Sequence, residues 1–215
     1  MKNLFYFLVV FNLFSISFFS QSKVDSLSIK KTYTNLEEAL KSPDKVYRLD
    51  LSDQNLSKFV VFLQKFSNLE YLSLKNDHLR TLPKEIFELQ KLKILDISSN
   101  DFETLSNDFI KFKNLEELYL NNEKNLNVPQ TLNLLSKLPK LKALHLEGDN
   151  LRKLPENIVK LKNLKSLYLN DNLFKEVPTQ IRGLDHLQYL DLNNNQIPKN
   201  VIDMQQLNFG FKIQF

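Results

Sequence analysis

The chain of 215 residues contains no cysteine and only three glycines. The absence of cysteine excludes disulfides, thiolate metal sites, a cysteine nucleophile and a lipid carried on an N-terminal cysteine. So few glycines leave no room for the glycine-rich loops that cradle phosphate groups. The H-E-x-x-H and G-x-S-x-G signatures of hydrolases are missing as well. We therefore predict that the protein is not an enzyme and holds no cofactor or metal ion.

An excess of one charge sign is also missing. The sequence has 29 basic and 25 acidic residues, which gives a formal net charge of +4. Nucleic-acid-binding domains usually concentrate basic residues in one patch, so this small excess predicts no nucleic-acid partner. Hydrophobic residues make up 42% of the chain and charged residues 25%. These fractions are ordinary for a globular protein.

The one long apolar run lies at the N-terminus. Residues 1–22 combine a single lysine, Lys2, with an apolar stretch and then small polar residues, which is the layout of a secretory signal peptide. The stretch is shorter than the roughly 20 apolar residues of a spanning helix. We predict cleavage after Ser20 or Ser22, and a mature protein that is secreted or in the cell envelope (periplasm or outer surface) and does not span the membrane. A retained membrane anchor is the alternative.

A repeated spacing of leucines covers most of the remaining chain. In LKALHLEGDNLRKLP, residues 141–155, leucines stand at offsets 0, 3, 5, 10 and 13. Successive copies are 23 residues apart, with one interval of 26. The seven copies start at Val46, Leu69, Leu92, Leu115, Leu141, Leu164 and Leu187. Such a period predicts stacked structural units, because one unit cannot bury its apolar side alone.

The spacing L-x-x-L-x-L-x-x-N-x-L, followed by apolar residues three apart, resembles the leucine-rich repeat family over residues 46–206. The resemblance implies an α/β fold, a right-handed leucine-rich repeat solenoid. Its parallel β-sheet would form the concave face, and short helical or 3-10 turns would form the convex face. In each L-x-L strand the two leucines would point inward, because side chains alternate along a strand.

The family usually has asparagine at offset 8, where the amide hydrogen-bonds the backbone of neighbouring coils. In this chain the position is occupied by Gln54, Asp77, Asn100, Glu123, Asp149, Asn172 and Asn195. The acidic residues could indicate a calcium site, since Ca²⁺ takes carboxylate oxygens. We favour the interpretation that Asp77 and Asp149 replace asparagine as hydrogen-bond acceptors.

The irregular unit and the two ends depart from the repeat. In the 26-residue unit Leu126 stands at offset 11 instead of 10, which predicts a bulge after Leu120 and two further extra residues before Leu135. Residues 23–45 are predicted to form an N-terminal cap with a short helix near residues 35–41, opened by a Thr34–Glu37 capping box. Residues 207–215 alternate apolar and polar side chains and are predicted to form a C-terminal capping strand.

Offsets 2 and 4 of each strand point away from the core, onto the predicted concave face. Tyr119, His145 and Tyr168 share offset 4 in successive units, so they should form a row of rings about 4.8 Å apart. Aromatic and charged residues together are typical of protein-binding surfaces. Alternatively, the stacked tyrosines only stabilise the sheet. The predicted partner-binding residues are Arg48, Tyr71, Asp96, Glu117, Tyr119, His145, Tyr168, Tyr189 and Asp191.

Members of this family mostly bind other proteins through the concave face, and bacterial members with signal peptides are often secreted or surface-associated. The resemblance therefore implies an exported recognition module for a protein partner. Glycan binding by the tyrosine row, or a structural role in the cell envelope, are the alternatives. His145 is interpreted as a surface residue, so we predict that His145→Ala costs well under about 1 kcal/mol of stability.

Overall fold

The computed structural model describes residues 30–54, 60–198, 200 and 210–215. The predicted signal peptide, residues 1–22, lies outside this part of the chain. Within it, a single parallel sheet of nine strands runs in sequential order. No helix in the described residues has the length and apolar character needed to cross a membrane.

The strands are short; each of the seven repeat units contributes one, and one further strand lies at each end of the sheet. They are β1 (Thr32–Tyr33), β2 (Arg48–Asp50), β3 (Tyr71–Ser73), β4 (Ile94–Asp96), β5 (Glu117–Tyr119), β6 (Ala143–His145), β7 (Ser166–Tyr168), β8 (Tyr189–Asp191) and β9 (Lys212–Gln214). The α-helices whose bounds lie in the described part are α1 (Leu36–Leu40) and α2 (Val128–Leu135). The 3-10 helices are Pro43–Lys45, Val60–Lys65, Lys84–Glu88, Asn107–Lys111, Glu156–Lys160 and Thr179–Gly183.

Equal positions of successive units pair with each other across the sheet. Leu118 pairs with Leu144, and Leu144 pairs with Leu167. All three side chains are fully buried, so the inward leucines form one continuous stack. The predicted α/β solenoid, with its strands at the L-x-L positions and helical turns opposite them, is confirmed.

A turn with a left-handed backbone follows each strand from β2 to β8. The residue at offset 7 has a positive φ in every unit: Asp53, Asn76, Ser99, Asn122, Gly148, Asp171 and Asn194. Glycine adopts this conformation freely, and short polar residues such as Asn and Asp tolerate it better than others. The turn points the next residue, at offset 8, into the coil.

The offset-8 side chains form a ladder of hydrogen bonds between coils. Asn172 Oδ1 accepts the backbone N–H groups of Asp149 and Leu151 at 3.1 and 2.9 Å. Asp149 Oδ1 accepts from Glu123 N at 2.7 Å, and Asp77 Oδ1 accepts from Gln54 N at 2.6 Å. The interpretation of these two aspartates as acceptors is confirmed. Across the described ranges, no group of three or more His, Cys, Asp or Glu side chains could hold a metal ion.

The extra residues of the 26-residue unit lie after its ladder residue, Glu123. The Glu123–Asp149 contact keeps the regular register, so the predicted bulge after Leu120 begins only after Glu123. There Leu126 N donates to the Glu123 carbonyl at 3.0 Å. The α-helix α2 replaces the 3-10 turn of the other units and contains the two further extra residues.

Both ends of the sheet differ in detail from the prediction. The cap of α1 is Asn35, whose side chain accepts from Glu38 N at 2.9 Å; the predicted Thr34–Glu37 box is wrong by one residue. The helix begins at Leu36 because this places the side chains of Leu36 and Ala39 over the first coil, where both are buried. At the other end β9 pairs in parallel with β8, within the predicted 207–215 segment; residues 207–209 lie outside the described part.

Candidate binding face

The outward side chains of β2 to β8 form an open surface, for which we keep the name concave face. All nine residues predicted to bind a partner lie on these strands. Eight of them are partly exposed and one, His145, is buried at 6% exposure. The register places Tyr119 beside His145 and His145 beside Tyr168.

His145 is enclosed between two tyrosine rings. Its ring centroid lies 3.8 Å from that of Tyr119 and 4.0 Å from that of Tyr168, with interplanar angles of 18° and 6°. Tyr189 extends the row at 5.3 Å from Tyr168, with a tilt of 49°. The predicted row of rings is therefore present, and its three central rings lie closer together than the spacing of about 4.8 Å between neighbouring strands.

Carboxylates hold both ring nitrogens of His145. Nε2 lies 2.9 Å from Glu117 Oε1, and Nδ1 lies 3.2 Å from Glu147 Oε2. Tyr119 donates its hydroxyl to the same Glu117 oxygen at 2.7 Å. A neutral imidazole has one donor only, whereas the imidazolium has two. The arrangement therefore favours the positively charged ring.

The pKa values of this cluster follow from that pairing. Burial alone would lower the pKa of His145, but the hydrogen bonds that it donates to Glu117 and Glu147 outweigh burial and raise the pKa above its ordinary value. For Glu117, burial raises the pKa, and the hydrogen bonds from His145 and Tyr119 more than reverse this, so the net pKa is lowered. Burial and the Glu117 contact raise the pKa of Tyr119, which stays a neutral donor.

The expectation that His145 is a simple surface residue is wrong. A one-strand-per-coil sheet brings rings from both neighbours against it, and these cover a side chain that points outward. Truncation leaves Glu117 and Glu147 without their shared cation, and lost hydrogen bonds to charged groups cost about 1.5–3 kcal/mol. We now expect His145→Ala to lower the free energy of unfolding by about 1–3 kcal/mol near neutral pH, measured by urea unfolding.

Glu117→Gln should lower the pKa of His145, because it removes the nearer of the two carboxylates. In the wild type the ion pair stabilises the fold fully below the unfolded imidazole pKa of about 6.5, and this contribution is lost as pH rises through the higher folded pKa. Imidazole NMR signals followed from pH 5 to 9 measure both values. An unchanged His145 titration, or an equal change at the distant His78, would contradict the assigned pairing.

Side-chain contacts also fix the aromatic residues at the two ends of the concave face. The Arg48 guanidinium lies 4.0 Å from the Tyr71 ring centroid, and its Nε donates to Thr32 Oγ1 at 2.9 Å. Tyr189 donates its hydroxyl towards Asp191 Oδ2 at 3.1 Å and Gln214 Oε1 at 2.9 Å. These contacts orient the aromatic rings and limit their rotamers in the unbound protein.

Four residues that contact the rings or side chains of this face were absent from the predicted set. Glu147 stands at offset 6 of its unit, and the alternation of side chains along the strand also places this offset on the concave face. Its position was therefore predictable from the repeat. Thr32 belongs to β1, which precedes the repeats, while Lys212 and Gln214 belong to β9, which follows them. No repeat spacing marks those two strands, so only the sheet pairing adds them.

The middle of the face is acidic although the chain as a whole has a net charge of +4. The described outward positions of β4 to β8 and the residue two places after each strand include no lysine or arginine. The carboxylates at these positions are Asp96, Glu117, Glu147 and Asp191. The lysine and arginine side chains on and beside the face, Arg48, Lys75 and Lys212, lie toward its two ends.

Comparison with known families agrees with this architecture. A family model described as leucine-rich repeat region matches residues 23–138 and 125–209. The chain belongs to the leucine-rich repeat family. Proteins of this family are typically non-catalytic binding modules. No curated protein sequence matches the chain.

Three solved structures illustrate the similarity. A leucine-rich repeat protein of Leptospira interrogans is 28% identical, with a TM-score of 0.55, over 86% of this chain and 58% of that one. Toll of Drosophila, solved with Spatzle, shares the fold at 20% identity and a TM-score of 0.63, over 77% of this chain and 22% of that one. TLR13, solved with ssRNA13, is 26% identical with a TM-score of 0.58, over 76% and 23%. This chain thus spans just over half of the Leptospira protein and under a quarter of the Toll and TLR13 chains.

Proposed function

We propose that this leucine-rich repeat protein is an exported bacterial recognition module that binds a protein partner through its concave face and performs no catalysis. The observation that carries the proposal is the stacked Tyr119–His145–Tyr168 row at the centre of that face. Export rests on the composition of residues 1–22, which would be removed. Residues 23–45 and 207–215 would close the two ends of the repeats.

A rigid aromatic row suits protein recognition. Binding energy at protein interfaces tends to concentrate in central aromatic anchors surrounded by weaker polar contacts. Stacking and hydrogen bonds hold these rings before any partner arrives, so little conformational entropy is lost on binding. The open face also lacks the enclosed, water-excluding site on which acid–base catalysis depends.

The acidic middle of the face favours a partner with a basic surface. Complementary charges accelerate encounter and suppress unsuitable partners. The same carboxylates repel phosphate groups, which argues against nucleic acid at this face, although the similar TLR13 was solved with ssRNA13. We expect the association rate to fall several-fold between about 10 mM and 150 mM salt, because screening shortens the reach of these charges. A rate that rises with salt would indicate an acidic partner.

Glycan binding is the second candidate, since flat tyrosine rings can stack on sugar rings as they do on other planar or apolar groups. Tyrosine fluorescence discriminates between the two functions: it should change on adding the protein partner and remain constant on adding oligosaccharides. The reverse result would assign the face to glycans.

A pull-down with the chain from residue 23 onward tests the proposal. The bait proteins are the wild type, Tyr119→Ala with Tyr168→Ala, and Lys137→Ala with Lys160→Ala. The two lysines are exposed on the opposite, helical side and form the matched control. Mass spectrometry should find a protein retained by the wild type and the lysine variant and lost from the tyrosine variant. Retention by all three baits would refute binding through the concave face.

A further inference from the structure

Two kinds of side chain occupy the interior ladder at offset 8. Where it is asparagine, the amide works in both directions: Asn172 Nδ2 donates to the carbonyls of Leu146, Leu169 and Asn170, while its Oδ1 accepts two N–H groups. Asn100 repeats this pattern in an earlier coil, with Nδ2 donating to three carbonyls. The backbone carbonyls around offset 8 therefore accept hydrogen bonds from the side chain at that position.

The two aspartates satisfy only half of that pattern. Asp77 and Asp149 are 9% and 4% exposed, and each accepts a backbone N–H through Oδ1. The second oxygen, Oδ2, is buried in both residues and has no hydrogen-bond partner. By the repeat, this oxygen takes the place of the asparagine NH₂ group, which at Asn172 donates to the carbonyls two and three residues earlier and to one of the preceding coil. An ionised carboxylate has no donor for them.

We propose that Asp77 and Asp149 are neutral carboxylic acids in the folded protein, each donating the single hydrogen of its Oδ2 hydroxyl to one of the backbone carbonyls that an asparagine amide satisfies elsewhere in the ladder. The folded repeats then hold two protons, one on each of these carboxyl groups, and both protons take part in hydrogen bonds that stabilise the fold. Mildly acidic pH therefore stabilises the solenoid, and alkaline pH destabilises it at these two coils.

The charges around both residues agree with the geometry. Burial is the main reason that the pKa of Asp77 rises to about 6 and that of Asp149 to about 7. Asp50 and Asp53 add repulsion at Asp77, which His78 partly offsets. Glu123 and Glu147 add repulsion at Asp149. These are the charged groups that face the two carboxyls, and most of them disfavour ionisation.

Glu123, the third acid of the ladder, differs in its contacts. Its longer side chain accepts with both oxygens, Oε1 from Asn100 N and Oε2 from Phe102 N at 3.1 Å. Burial raises the pKa of Glu123 to about 7, while these two N–H groups act to lower it. A proton on either oxygen would weaken the hydrogen bond that this oxygen accepts, because a carboxyl hydroxyl is a poorer acceptor than a carboxylate oxygen. Of the neighbouring pair Glu123 and Asp149, the proton therefore belongs to Asp149.

Asp149→Asn and Asp77→Asn test the proposal by urea unfolding at pH 5 and pH 8. A group with a raised folded pKa contributes its stability below the unfolded pKa of about 4 and loses it as pH rises through about 6 to 7. The wild-type midpoint should therefore fall from pH 5 to pH 8. Each variant should match the wild type at pH 5 and exceed it by about 0.5–1 M urea at pH 8, because the amide keeps its donor at any pH.

Two further variants test the proposal in the opposite direction, by introducing an acid into the ladder or by removing one. Asn172→Asp should create the same dependence anew, with a near-normal midpoint at pH 5 and a large loss at pH 8. Glu123→Gln should lower the midpoint at both pH values, because it replaces one needed acceptor by a donor. Asp185→Asn, an exposed carboxyl outside the ladder, is the control. The titration of His145 is common to all variants and cancels from the differences.

Proton counting gives an independent readout. Unfolding the wild type at pH 6 in weak buffer should release protons, and each aspartate variant should release up to about one fewer. The proposal is overturned if Asp149→Asn and Asp77→Asn are no more stable than the wild type at pH 8. It is also overturned if they shift the midpoint equally at both pH values and leave proton release unchanged.

Discussion

Leu144→Ala should lower the free energy of unfolding by about 2–5 kcal/mol, the range for large-to-small changes in a packed core. The Leu144 side chain is fully buried and pairs in register with Leu118 on one side and Leu167 on the other. Truncation leaves a cavity between two coils that the rigid sheet pairing prevents from collapsing. Urea unfolding of the purified variant measures the loss.

Ser166→Ala is the matched control for Leu144→Ala. Ser166 lies on the next strand, but its side chain faces outward and is partly exposed, so the change should stay within about 0.5 kcal/mol. A loss at Leu144 below that of Ser166 would mean that the strand phase is assigned the wrong way round. Leu146, equally buried, should behave as Leu144 does.

Asn172→Ala should be at least as damaging, at about 3–5 kcal/mol, because a buried group left without its hydrogen bond costs about 1–3 kcal/mol. Asn172 is 3% exposed and links two backbone N–H groups and three carbonyls of adjacent coils. Alanine leaves all of them inside the turn without that side chain. The same urea assay measures the effect.

Asn170→Ala controls for the loss of an amide as such. Asn170 donates its amide only to the exposed Asp171 carboxylate, at 2.7 Å, so we expect a change within about 0.5 kcal/mol. If the two asparagine variants lose equal stability, the ladder is not what holds successive coils together.

The repeat made most of the fold predictable from sequence. A period of 23 residues with leucines at offsets 3 and 5 fixes which side chains face inward, and the pairing of Leu144 with Leu118 and Leu167 follows from it. The strands at the ends carry no such period. β1 was not predicted, and the α1 cap was misplaced because Thr34 and Asn35 are both good capping residues and only burial of Leu36 chooses between them.

The face was predictable in position but not in detail. Offset 4 places Tyr119, His145 and Tyr168 in one row, and they are stacked there. The burial of His145 depends on side chains from three strands that are far apart in sequence, and on Glu117 reaching sideways to its Nε2. The spacing of the sequence repeat gives the direction in which a side chain points but not which neighbouring side chains cover it.

Calorimetric titration of a partner recovered in the pull-down, against Tyr168→Ala and Lys160→Ala, tests the central claim most directly. The central position of the ring row predicts that Tyr168→Ala weakens binding by about 1–3 kcal/mol, or roughly 5- to 150-fold. Lys160→Ala, on the helical side, should change it by no more than about 0.5 kcal/mol. Thermal melts of both variants exclude unfolding as the cause. If Lys160→Ala weakens binding and Tyr168→Ala does not, the partner binds elsewhere and the tyrosine row serves only to pack the sheet.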